Sequence, residues 1–151
     1  MLILDEIHHI IAGNHTKQRH FLNTIKYLGN ELQIPLAGVG IKDAYNAIQT
    51  DPQLSNRFEP MTLPRWEMGK EYLRLLASFE RMLPLKRPSR LVETSLALKL
   101  LGMSEGVIGE LSSALTEAAV KAVRTGEEQI TARLLDSIGW VQPSDRKWKA
   151  R

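Results

Sequence analysis

The sequence contains no cysteine, which excludes disulfide frameworks, zinc knuckles and thiol catalysis at once. No apolar run approaches the roughly 20 residues that a membrane-crossing helix requires. The opening residues lack the basic stretch, long apolar stretch and cleavage site of a secretory signal. The Asn14-His15-Thr16 glycosylation match therefore carries no weight, and cytoplasm is the default compartment. A strong excess of one charge is also lacking: the formal net charge is +3 over 151 residues, too small to mark the whole chain as nucleic-acid-binding. Finally, no Gly-x-x-x-x-Gly-Lys-Ser/Thr string occurs. The only Gly-Lys, Gly69-Lys70, is followed by Glu71, so the backbone donors and lysine that cradle phosphates are missing.

What is present is the composition of a soluble globular protein, 43% hydrophobic and 25% charged, enough for one ordinary domain or a small domain with an appendage. Positive charge gathers at the end, where Arg146, Lys147, Lys149 and Arg151 face one acid, Asp145. A basic tail can contact phosphate, and a solvated, frayed terminus accounts for it as simply.

Met1-Leu2-Ile3-Leu4 is apolar on both faces, as a buried parallel strand requires. Phe21, Ile25, Leu28 and Leu32 recur at helical spacing within 17–32. Leu36 to Val39 reads as a second strand, closed by Gly40. Helices are expected at 43–48 and 52–56, and a third strand at 59–63, stopped by Pro64. This alternation predicts a parallel sheet with right-handed crossovers. After Trp66 the pattern stays helical, at 68–82, 91–101 with Gly102 as its stop, and 107–123 capped by Ser104, with a last helix begun by Thr131. The organisation is thus an α/β piece over 1–65, an all-helical piece over 66–142, and a basic tail over 143–151.

The opening strand ends in Asp5-Glu6. An apolar strand closed by two acids is the Walker B pattern of nucleoside triphosphatases, because ligands of open α/β sheets bind beyond the strands' carboxyl ends. There Asp5 is placed to hold Mg²⁺ through water, and Glu6 to orient or deprotonate an attacking water. The same string also serves as a plain strand with a polar turn. Leu54-Ser55-Asn56-Arg57-Phe58 lies between a short helix and the third expected strand, where many AAA+ proteins place an arginine that reaches a neighbouring subunit's nucleotide. A surface arginine pairing with Glu59 or Asp51 is the plainer alternative.

Several strings together resemble the TniB family of transposon AAA+ ATPases, relatives of the TnsC regulators. They are Leu2 through His9, Lys26 through Leu32, Ile34-Pro35-Leu36 with Val39-Gly40, and Asp51 through Phe58. The segments Gly106 through Leu111, Ala118-Ala119 and Gly126 to Ile130 are similar to the family's lid. The resemblance implies a truncated AAA+ module, a remnant parallel sheet with helices followed by a helical lid, in which the phosphate loop and two strands before Walker B are not part of this chain. It implies ATP-dependent target selection in DNA transposition, with ATP and Mg²⁺ as cofactors in full-length proteins and transposase and double-stranded DNA as partners. This chain alone is expected to bind nucleotide weakly or not at all, and not to turn it over. Carried over by residue, Asp5 and Glu6 match Walker B and Arg57 the arginine finger. The nucleotide-sensing position falls at Gly40 and Ile41, where the apolar Ile41 departs from the usual Thr or Asn. The lid lacks the second sensor arginine. Loss of the strand between the second and third expected strands implies open edges and self-association as a ring, filament or swapped dimer. The alternative is a standalone, non-hydrolysing module that binds transposase or full-length ATPase subunits.

Weaker constellations complete the reading. His8, His9 and His15 near Asp5 and Glu6 do not form His-Glu-x-x-His, and adjacent histidines on a turn are expected to point apart, which argues against a metal site. Lys17, Arg19 and Lys26 read as a solvated face of the first helix. Within the resemblance, Lys17 and Arg19 are the candidates to neutralise DNA phosphates. Trp66 and Trp140 read as core residues and Trp148 as exposed.

Overall fold

The computed structural model describes residues 1–10, 15–49 and 52–149, with the backbone alone described at Ile10, His15, Ala47, Gln53, Leu54 and residues 147–149. The readings that concern Asp51 and the side chains of His15, Leu54 and Trp148 lie outside the described residues. Two compact units divide between Thr62 and Leu63. The class is mixed α/β with a small parallel sheet.

The first unit holds strand β1 (Leu2–Leu4), a 3₁₀ turn (Ile7–Ile10), helix α1 (His15–Glu31), strand β2 (Leu36–Gly38), and helices α2 (Lys42–Gln49) and α3 (Pro52–Ser55). The strands pair in parallel, Leu2 with Leu36, Ile3 with Ala37 and Leu4 with Gly38. A parallel pair needs a crossover, and α1 supplies it. Its inner face centres on Ile25, which packs with Ile7 and Ala44; Phe21, Leu22, Leu36, Ile48 and Phe58 close around them half-buried. The helical stripe is narrower than the sequence implies, since Leu32 is exposed.

The third expected strand is not formed: residues 59–63 have no strand pairing among the described residues, and Met61 is 87% exposed. A strand exists only when a neighbour takes its amides and carbonyls, and Pro60 offers no amide to give. An apolar string without a partner stays irregular.

The second unit is helical: α4 (Lys70–Met82), α5 (Thr94–Ser104), α6 (Ile108–Thr125), α7 (Ala132–Ser137) and α8 (Pro143–Lys149). Along α6, Leu111, Ala114, Leu115, Ala118, Ala119 and Ala122 are buried at helical spacing. The alanines leave room for close helix packing, and the cluster is filled by Tyr72, Leu76, Leu91, Leu100 and Leu134. Gly126 ends α6 in the left-handed conformation, its amide reaching the Val123 carbonyl, as helix ends commonly do.

Two cap assignments from the sequence are corrected. Gly102 does not stop α5; the helix runs through it to Ser104, and Glu105 takes the left-handed turn at φ 49°. Ser104 does not cap α6. It is buried, and its hydroxyl donates back to the Leu101 carbonyl, while Val107 holds the cap position. Thr131 does cap α7, accepting from the Leu134 amide at 3.2 Å.

The basic loop after α4 is fastened rather than free. Lys86 pairs with Glu128 at 3.1 Å, and the Glu80 carboxylate accepts from the amides of Arg90 and Leu91 at 2.6 and 2.9 Å. Buried Ser89 accepts from the Ile130 amide at 2.9 Å. The residues read as a basic tail include the helix α8, in which Arg146 pairs with Glu110 at 2.9 Å and lies over the half-buried Trp140 ring. No helix among the described residues is long and apolar enough to cross a membrane.

Candidate functional site

The two parallel strands finish at the same rim, and Asp5 and Glu6 stand there, both exposed. The hydrogen-bond ladder explains their posture. Val39 donates to the Leu4 carbonyl at 2.8 Å, and the Val39 carbonyl then accepts from Ile7 at 3.0 Å. An unbroken parallel ladder would use Glu6, two residues beyond Leu4, as that donor. One residue is therefore inserted. Glu6 absorbs the kink with φ 55°, and its displaced amide donates instead to Asp5 Oδ1 at 2.8 Å.

The kink sends the Glu6 carboxylate over the following 3₁₀ turn. Its Oε2 lies 2.6 Å from His9 Nε2 and 3.8 Å from His8 Nε2. The two imidazoles sit together, ring centroids 4.5 Å apart and planes tilted by 33°. The expectation that adjacent histidines diverge is thus overturned: the tight turn closes an i, i+3 contact between Glu6 and His9 and leaves His8 beside it. The signal in the sequence is that three-residue spacing, legible only once the turn is known to be 3₁₀.

His8 is wedged against the end of β2. Its Nδ1 is buried without a hydrogen-bond partner, and a β-carbon on Gly40 would stand 3.4 Å from that atom and 3.0 Å from both Ala44 Cβ and Ile7 Cγ2. Glycine at position 40 lets the two strand exits approach. Ile41 follows, 57% exposed, and its carbonyl accepts the Ala44 amide that opens α2.

Arg57 follows α3, is exposed, and donates to the side-chain oxygen of Asn30 near the end of α1. Lys17 and Arg19 are exposed in the first turns of α1. The second unit carries a further concavity, an apolar groove of about 500 Å³ along α4 and α6 lined by Phe79, Met82, Leu115, Ala119, Val120 and Val123.

The first unit is therefore an α/β segment whose parallel strands present an acid pair at their carboxyl ends. Residues 1–68 match the family described as "Bacterial TniB protein". No curated protein matches the chain.

Proposed function

We propose that the first unit is the Walker B to arginine-finger part of a AAA+ ATPase of the TniB type, with the second unit as its helical lid, serving target selection in DNA transposition. The observation that carries this reading is the Asp5-Glu6 pair at the carboxyl rim of parallel strands, inside the segment that matches the family. An exposed carboxylate at that rim fits a hydrated Mg²⁺, which Asp5 would hold through water, and bound Mg²⁺-ATP would supply the polarised phosphoryl group. Glu6 would orient water once released from His9. The phosphate cradle is not among this chain's strings, so the chain does not turn over ATP by itself.

Arg57 is exposed and held by Asn30, an arrangement suited to a group offered to a neighbouring subunit. Lys17 and Arg19 supply exposed positive charge for DNA phosphates. Among the described residues the two strands pair only with each other, and their outer edges favour self-association. The missing phosphate loop equally supports a standalone module that acts only on full-length subunits or a transposase.

The test is titration of the purified chain into a full-length TniB-type ATPase that carries the phosphate loop, with ATP turnover as the readout. The expected outcome is a dose-dependent change in rate that Arg57→Ala abolishes and no turnover by the chain alone. An unchanged rate over a wide ratio of the two proteins overturns the proposal.

A further inference from the structure

We propose that Glu6, His8 and His9 form a binding site for one transition-metal dication of the zinc type. One ligand atom from each of Glu6, His8 and His9 lies within 4.8 Å of the other two. Zinc bonds to imidazole nitrogen and carboxylate oxygen of about 2.0–2.2 Å put neighbouring ligand atoms roughly 3.3 Å apart in a tetrahedron. The 2.6 Å and 3.8 Å separations around Glu6 Oε2 bracket that spacing. The adjustment falls on mobile groups, because the Glu6 and His9 side chains are 62% and 71% exposed.

His8 is the fixed member. Its side chain is 20% exposed, and burial of Nδ1 beside Gly40 leaves Nε2 as the nitrogen that faces a ligand. The backbone is already bent for chelation: the His9 amide donates to the Glu6 carbonyl at 2.9 Å across the turn. Two imidazoles and one carboxylate select Zn²⁺, Ni²⁺, Co²⁺ or Cu²⁺ over Mg²⁺, which prefers an oxygen shell. Three protein ligands leave the fourth position to water.

The proposal does not depend on the nucleotide reading, since ion binding is measured without ATP. The two uses of Glu6 compete, because a carboxylate bound to zinc is a weaker base and is turned toward the ion.

The experiment is calorimetric titration of the full, tag-free chain with Zn²⁺ and with Ni²⁺, joined by the visible spectrum of the Co²⁺ form. One ion per chain is expected, with affinity lowered at least about tenfold in His9→Ala and in Glu6→Gln, and unchanged in His20→Ala, an exposed histidine of α1. His9 and Glu6 are exposed, so both variants keep the fold, which circular dichroism checks; His8→Ala then tests the buried ligand. Absence of binding, retention of full affinity in the His9→Ala and Glu6→Gln variants, or loss in His20→Ala overturns the site.

Discussion

The Trp66 amide donates to the Gly106 carbonyl at 2.8 Å, and the Trp66 carbonyl stands 2.4 Å from where a β-carbon on Gly106 would lie. The segment entering the helical unit is thus laid directly on the turn between α5 and α6. Gly106 also holds φ 72°, a conformation that disfavours a side chain by about 1 kcal/mol before any clash. Gly106→Ala is expected to destabilise the second unit by at least about 2 kcal/mol, read from chemical denaturation followed by Trp fluorescence. Gly109→Ala, where a β-carbon meets nothing, is the matched control and is expected to be neutral or stabilising.

Tyr72 is 1% exposed, and burial pushes its hydroxyl up to about 12 from 10.0. The unfolded chain releases this proton near 10 while the folded chain retains it, so the unfolded state binds fewer protons between the two values. Stability is therefore lost as pH rises from 10 to 12, by on the order of 2 kcal/mol. Tyr72→Phe removes that share. Its hydroxyl donates to the Ala97 carbonyl at a long 3.5 Å, so the variant is expected to match the parent near neutral pH and to fall less steeply in alkaline melting curves.

Glu105 organises the docking of α8. Its Oε1 accepts the Ser144 amide at 3.0 Å as well as the Ser144 hydroxyl, while Oε2 lies 3.6 Å from Arg65. Glu105→Ala leaves the left-handed backbone as it is and removes the anchor. Amides of residues 144–146 are expected to exchange at least about tenfold faster, while global stability changes by less than about 1 kcal/mol. Unaltered exchange there would mean that Arg146, through Glu110 and Trp140, holds the helix alone.

Most helices are legible in the sequence because packing against one core enforces the 3.6-residue period; the buried row from Leu111 to Ala122 is the clearest instance. The strands at Leu2–Leu4 and Leu36–Gly38 are legible as short apolar runs between breakers. Residues 59–63 look the same by composition yet stay irregular, because pairing is a property of the neighbour and not of the string. Gly102 misleads since a helix interior tolerates glycine at modest cost, while Glu105 accepts the left-handed turn that a glycine would take more easily. At the candidate site, the position of Asp5 and Glu6 at a strand end can be read directly. The turn to His9 and the Arg57–Asn30 bond, 27 residues apart, depend on how the chain folds back and leave no local trace.

The residue inserted at Glu6 sets folding against chemistry. A left-handed glutamate is disfavoured by about 1 kcal/mol relative to a residue without a β-carbon, so Glu6→Gly is expected to melt no lower than the parent. The same exchange deletes the carboxylate that meets both imidazoles. Metal titration of that single variant should show binding lost while its thermal melt holds, so a protein left as tough there would be one made blank.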